Sequence, residues 1–309
     1  MYNQMFCSVI EGQGKGAYFI EESKKELEPI VGFTPFHGTL NLRNVDTRGL
    51  QSENVEELGE GECKGVAVHL CRINGIVAGT TVPIIEGYPE DITEIIAPVR
   101  LRKLFDLREN DEVVFSPREG IWKPNGALVK CENINLFESV IFDLDQTLVH
   151  LDVDWKGSYE ELEVLMEGHI EGEITDYRHE DIFQIAEENG VFEEVNGILT
   201  KYEIEGAKKA SPLKLVGFLD KLSRPVAVCT INSPEAARIA LKKLGVADKI
   251  ECIIGRDSAI TKPDPEPLYR CLNYMGTSRG NSIFIGDARS DAEAAYRAQM
   301  SYLHPDQVQ

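Results

Sequence analysis

The sequence predicts two domains of different class, an N-terminal all-β antiparallel barrel and a C-terminal α/β domain on a parallel sheet with a helical insert. Three observations predict this. The 309 residues suit two domains better than one. Up to about residue 117 short alternating segments are joined by turns, whereas from about residue 140 apolar runs alternate with helical segments. Between them PREGIWKPNGALVKCENINLFES mixes Pro, Gly and Asn, as a junction does. The expected boundaries are residues 1–130 for the barrel, 131–138 for a linker and 139–309 for the α/β domain, whose insert occupies about 150–215.

In the first half, KGVAVHLCRI alternates Val66, Val68 and Leu70 with smaller or polar neighbours. Asn74-Gly75 then reads as a hairpin turn, with IVAGTTVPII as the return strand. TEIIAPVRL and DEVVFS supply further short strands. GQGKGAYF lacks the Ser or Thr of a Walker loop. It matches a dinucleotide fingerprint only loosely, and the Tyr-Phe-Ile that follows reads as strand where that fingerprint needs a helix. Gly12, Gly14 and Gly16 would let a backbone approach a phosphate closely, or would form a hairpin turn. In FTPFHGTLNL, Thr39 and Asn41 are alternate oxygen-bearing residues that can share a face and offer a metal hard ligands; otherwise they are a turn into a strand. Glu94 follows in DITEIIAPVRL, and Arg100, Arg102 and Lys103 form a basic segment on an acidic chain, a ligand contact or a solvated face.

In the second half, ligands of a parallel sheet bind beyond the carboxyl ends of the strands. Asp143 and Asp145 end SVIFDLD, Thr230 ends VAVCT, Lys262 follows KIECIIGRDSAIT, and Asp287 ends NSIFIGD with Asp291 four residues on. A carboxylate can attack phosphorus and a second acid nearby can protonate the leaving oxygen. Mg2+ would neutralise the carboxylates, while Lys262 and Thr230 would hold phosphoryl oxygens. Ser290 with Glu293 also reads as a capping box, SDAE. In the acidic insert His150, His169 and His179 could touch substrate, but lone histidines in an exposed helical insert are more often surface residues, and the surface is where they are expected.

A net charge of -20 argues against nucleic-acid and anionic-membrane surfaces. The N-terminus MYNQMFCSVIEG has no basic leader and no stretch reaches membrane-span length, so a cytoplasmic protein is expected. Seven scattered cysteines without a CxxC pair predict reduced thiols.

IFDLDQTLV, VCTINS, TKPDPEPLY and GDARSDAEAA resemble the haloacid dehalogenase (HAD) superfamily of phosphatases over residues 139–305. That resemblance implies a HAD-type Rossmann-like sheet and a cap that selects substrate. It implies Asp143 as nucleophile, Asp145 as acid/base, Thr230 and Lys262 as phosphoryl partners, and Asp287 and Asp291 on the Mg2+ side with Asp143 and Asp145. An aspartate at 145 favours phosphatase over dehalogenase, because a C–Cl bond needs no leaving-group proton.

GQGKGAYF, GFTPFHGTLNL, EIIAPVRLR and LRENDEV together resemble the archaeal CTP-dependent riboflavin kinases over residues 5–117. The resemblance implies a six-stranded cradle-loop barrel, with cytidine nucleotide near Gly12, Gly14, Gly16 and the segment Leu101, Arg102, Lys103. It also implies Mg2+ at Thr39 and Asn41, and flavin near Glu94, a candidate ligand contact or base. The family's Thr and His before EIIAP are replaced by IIEGYPED, with Glu86 and Tyr88.

The two resemblances imply a bifunctional enzyme of flavin metabolism. One domain transfers phosphate from CTP to riboflavin, giving FMN and CDP; the other hydrolyses a small phosphate ester through an aspartyl phosphate. Fusion to a kinase favours 5-amino-6-(ribitylamino)uracil 5'-phosphate as that ester, because its dephosphorylation precedes riboflavin. The alternative is a phosphatase acting on phosphoglycolate or FMN whose barrel only senses flavin or cytidine nucleotide.

Overall fold

A computed structural model describes residues 4–12, 16–47, 53–56, 65–83, 91–117 and 126–309. Gly14, Cys63, Glu86 and Tyr88 lie outside these residues. The chain divides into two compact units, one of residues 1–138 with 278–283 and 299–309, the other of residues 139–277 with 284–298.

The first unit is built on β1 (Met5–Ile10), α1 (Gly16–Val31), β2 (Leu40–Arg43), β3 (Glu53–Glu56), β4 (Gly65–Ile73), β5 (Ile76–Pro83), β6 (Ile92–Ile96), α2 (Leu101–Leu104) and β7 (Glu112–Pro117). Strands β4, β5, β6, β2, β1 and β7 form a six-stranded antiparallel ring that closes through the β4–β7 pairing. β4 is long enough for two partners on one edge: Gly65–Val68 pair with β3 and Cys71–Ile73 with β7. The hairpin turn forms where expected, with φ of 50° at Asn74 and 91° at Gly75, between paired Ile73 and Ile76. Asn74 also stitches the closure, its Oδ1 accepting from Val114 N at 2.8 Å.

Strand alternation sends Cys7, Val9, Leu42, Cys71, Ile73, Ile76, Ile95, Val113 and Phe115 into the buried interior. Ile10, Asn41, Thr81, Glu94 and Ile96 take the other parity by register. Part of that outer face is covered by α1, whose Ile20, Leu27 and Val31 pack with Val66, Val68, Val77 and Ile96. The strand reading of Tyr-Phe-Ile is therefore corrected: residues 16–31 are helical. Three residues of β propensity lose to the 3.6-residue spacing of Ile20, Leu27 and Val31, which finds an apolar strand face to cover.

The second unit contains β8 (Val140–Phe142), β9 (Val149–His150), α3 (Trp155–Leu165), α4 (His179–Glu188), α5 (Phe192–Ala207), β10 (Ser211–Pro212), β11 (Val226–Cys229), α6 (Pro234–Lys243), β12 (Cys252–Ile254), α7 (Glu266–Met275), β13 (Ile283–Ile285) and α8 (Arg289–Arg297). Within this unit the sheet order is β12-β11-β8-β13, and β11 runs parallel to both β8 and β12. Three-residue strands buried on both faces fit a sheet covered by helices. The insert leaves and returns through the antiparallel pair β9 and β10, and its helices α3, α4 and α5 share a core of Leu162, Met166, Ile182, Phe183, Val195 and Leu199.

Candidate active site

In the second unit the residues that follow the strands converge on a cavity of about 420 Å³. Immediately after β8 the chain turns back on itself, with Gln146 at a φ of 60° and Leu148 and Val149 N–H donating to Leu144 O. Asp143 and Asp145 thereby both line the cavity, as do Lys262, Asp287 and Asp291. Lys262 Nζ donates to Asp143 Oδ1 at 2.6 Å and to Asp291 Oδ1 at 2.5 Å, with its side chain 2% exposed. Asp287 Oδ1 accepts from Thr147 Oγ1 at 3.2 Å.

Asp143, Asp287 and Asp291 bring carboxylate oxygens within 4.8 Å of one another, against the single ammonium of Lys262. Burial pushes the Asp143 carboxyl up to about 8, Lys262 opposing the rise and the Asp291 and Asp287 charges adding to it. Burial likewise raises Asp287, helped by Asp291. Burial works against the Lys262 charge, but the Asp143 and Asp291 carboxylates overcome it and hold the ammonium above its ordinary value. Such a cluster lacks positive charge, and its oxygen donors fit a hard divalent cation such as Mg2+. Asp145 stands outside the cluster. Its Oδ1 accepts from Leu151 N at 2.8 Å, and burial raises its carboxyl, which suits a proton donor.

Thr230 follows β11 as expected, but its hydroxyl is turned to Asn232, donating to Oδ1 at 2.9 Å and accepting from the backbone N at 3.1 Å. Ile231 and Asn232 line the cavity; Thr230 is absent from the lining. The capping box expected at Ser290 and Glu293 is corrected. Helix α8 starts at Arg289, and Ala288 N donates to Asp291 Oδ2 at 3.0 Å, while Glu293 pairs with Arg289 at 2.6 Å. Asp291 thus orients its carboxylate through the helix start that it caps.

The expectation for the histidines holds for His150 and His169, which are exposed, and fails for His179. His179 is partly buried, lines the cavity and stands 5.2 Å from Trp155 between ring centroids, with its Nε2 3.2 Å from Tyr159 Oη. Trp155 and Tyr159 line the same cavity and were not anticipated. Their signal was present as an i, i+4 aromatic pair in an otherwise acidic insert.

In the first unit Asn41 is paired by register with Glu94 and with Ile10, and Glu94 with Thr81. Asn41 is 8% exposed, and its buried Oδ1 has no hydrogen-bond partner among the described residues. A Cβ on Gly12 would collide with Asn41 Nδ2, so only glycine lets the two approach as they do. Arg102 Nη2 donates to Ile10 O at 2.6 Å, which draws α2 toward the same strand end. An orphaned buried carbonyl oxygen is the kind of donor a hard cation or a ligand N–H completes. Thr39 is partly buried just before β2, Leu101 is buried and Lys103 is exposed on α2. Gly16 opens α1.

Residues 140–304, just over half of the chain, match the family model of the haloacid dehalogenase-like hydrolases. The chain belongs to that family. Residues 9–116 of this haloacid dehalogenase-like protein match the model of the CTP-dependent riboflavin kinase domain, described as domain of unknown function DUF120. The riboflavin kinase of Methanoregula boonei is 40% identical over 123 residues, 34% of this chain and 53% of that protein. The riboflavin kinase of Archaeoglobus fulgidus is 35% identical over 120 residues, 34% of this chain and 50% of that protein. The chain spans about half the length of the curated relatives it matches. A solved HAD-superfamily hydrolase from Geobacter sulfurreducens aligns over 54% of this chain and 88% of its own, at 20% identity and a TM-score of 0.37. Among the described residues no helix is long and apolar enough to cross a membrane, and the six described cysteines are free.

Proposed function

We propose that this chain is a bifunctional enzyme of flavin metabolism, a CTP-dependent riboflavin kinase joined to a Mg2+-dependent phosphatase. The observation that carries the phosphatase half is the convergence of Asp143, Lys262, Asp287 and Asp291 in one cavity that Asp145 also lines. Asp143 attacks the phosphorus of a monoester; the P–O bond to the alcohol breaks as Asp145 donates its proton to the departing oxygen. Asp145 then takes a proton from water, which attacks the aspartyl phosphate, releases inorganic phosphate and restores Asp143. Lys262 holds a phosphoryl oxygen and Asn232 offers its side-chain N–H from the loop after β11, where Thr230 orients it. Asp143, Asp287 and Asp291 would hold Mg2+, which would supply charge neutralisation for the phosphoryl group.

In the barrel the supporting observation is the buried, unpartnered Asn41 Oδ1 beside Gly12 and in register with Glu94. Gly12, Gly14, Gly16 and α2 would hold cytidine nucleotide, Thr39 and Asn41 would hold Mg2+, and Glu94 would take the proton of the ribityl 5'-hydroxyl as its oxygen attacks the terminal phosphorus of CTP and CDP departs. The products are FMN and CDP. The fusion points to 5-amino-6-(ribitylamino)uracil 5'-phosphate as the phosphatase substrate, since FMN hydrolysis would undo the kinase.

Incubating the intact protein with riboflavin, CTP and Mg2+ tests the kinase half: FMN and CDP should appear in equal amounts. Ligand binding without FMN would leave the barrel a sensor. Phosphate release from a set of monoesters tests the other half, and no release from any of them would refute it.

A further inference from the structure

The phosphatase cavity has one wall that the hydrolytic chemistry does not use. Trp155 and Tyr159 stand on one face of α3, at i and i+4, and His179 opens α4. Their rings form a continuous aromatic surface: Trp155 and Tyr159 centroids are 6.2 Å apart, Tyr159 and His179 6.0 Å, and Phe183 stacks behind His179 at 6.1 Å with an 8° interplanar angle. All three front residues line the same cavity as Asp143 and Lys262.

The charge of the lining narrows what can sit there. Lys262 is the only lysine or arginine among the described lining residues, and Asp143 and Asp291 already engage it. Burial lowers the basicity of His179, and the nearby Arg256 guanidinium adds to the effect against Glu203. A substrate with a carboxylate besides its phosphate would therefore bring a second anion with no cation to meet it, into a lining with four aspartates. A cavity of about 420 Å³ also exceeds the needs of a two-carbon acid and suits a ring-bearing ester.

We infer that Trp155, Tyr159 and His179 form a stacking wall that selects phosphate monoesters carrying an uncharged planar ring, conjugated or heteroaromatic, over acyclic acidic esters. The inference rests on the phosphatase reading of the site. Aromatic faces attract rings of any substitution pattern, so the wall sets the class of substrate and leaves the phosphate end to Lys262 and the aspartates.

The experiment compares kcat/KM of the full chain with Mg2+ for two ring-bearing esters, flavin mononucleotide and uridine 5'-monophosphate, against phosphoglycolate and glycerol 3-phosphate. At least one ring-bearing ester should be preferred by about tenfold or more, and Trp155→Leu should collapse that ratio mainly through KM, with Trp155→Phe restoring part of it. Tyr159→Leu provides the same reading should the Trp155 variants fold poorly, as judged by circular dichroism. Preference for phosphoglycolate, or an unchanged ratio in the leucine variants, overturns the inference while leaving the phosphatase intact. Failure to hydrolyse any monoester overturns both.

Discussion

Arg256 grips Glu203 in a two-pronged ion pair, Nη1 to Oε1 at 2.7 Å and Nη2 to Oε2 at 3.0 Å, with both side chains 1% exposed. Glu203 belongs to α5 of the insert and Arg256 follows β12, so the pair ties the insert to the sheet. It also holds the loop after β11 from both sides, because Ser233 N donates to Glu203 Oε2 at 2.8 Å and Arg256 Nη1 donates to Ile231 O at 2.8 Å.

Removing one partner of this pair leaves the other charge buried. Arg256→Met should destabilise the protein by about 3–5 kcal/mol, more than the Arg256→Met, Glu203→Leu double variant, as measured by urea denaturation. Burial alone would raise the Glu203 carboxyl, but Arg256 and the Ser233 amide hold it below its ordinary value. Its contribution is therefore present above the unfolded glutamate value of about 4.3 and is lost as pH falls through the lower folded value. Wild type and Glu203→Gln should differ in stability at neutral pH and converge in acid.

Asp143→Asn should reduce phosphate release by about 10³-fold or more while preserving the melting profile and FMN formation by the barrel. Release at the wild-type rate would remove Asp143 as nucleophile.

Asp145→Asn should slow alkyl phosphate hydrolysis by about 10²–10⁴-fold and p-nitrophenyl phosphate hydrolysis by less, since nitrophenolate departs without a proton. Burial raises the Asp145 carboxyl, so its proton is retained to higher pH than in water. Alkyl-ester turnover in the wild type should fall as pH rises through that value, and the variant should lack this limb.

Chelation should abolish hydrolysis and added Mg2+ should restore it. Asp287→Asn should raise the Mg2+ concentration for half-maximal rate by about tenfold or more, and titrating the metal at fixed substrate measures this.

In the barrel, Asn41→Ala should cost FMN formation about 10²-fold while phosphate release stays at the wild-type level. Gly12→Ala should behave similarly, because its methyl occupies the place of Asn41 Nδ2.

The cavity-lining aspartates were legible because a short buried strand hides every side chain except those at its end. Asp143 stands directly after the apolar triplet of β8, and Asp287 one glycine after that of β13, so their positions follow from one-dimensional order. The helix at 16–31 was not legible at its start, where Tyr-Phe-Ile matches either element and the apolar face of β4, β5 and β6 decides. His179 was misread because one histidine in an acidic helix says nothing of its neighbours; Trp155, 24 positions earlier, is brought beside it only by the packing of α3 against α4. The orientation of Thr230 toward Asn232, away from the cavity, likewise depends on local hydrogen bonds that spacing does not encode.

Residue order alone determined the two fold classes and marked the strand-end acids and lysine that meet in one cavity, because hydrophobic periodicity and strand termination are local properties of the chain. Tertiary structure alone decided the rest. It gathered three carboxylates around one ammonium, sealed Arg256 against Glu203, orphaned the Asn41 oxygen beside Gly12 and built an aromatic wall from two helices. Each of these depends on burial and on contact between distant segments, and desolvation, which sets their chemistry, exists only once the chain has packed.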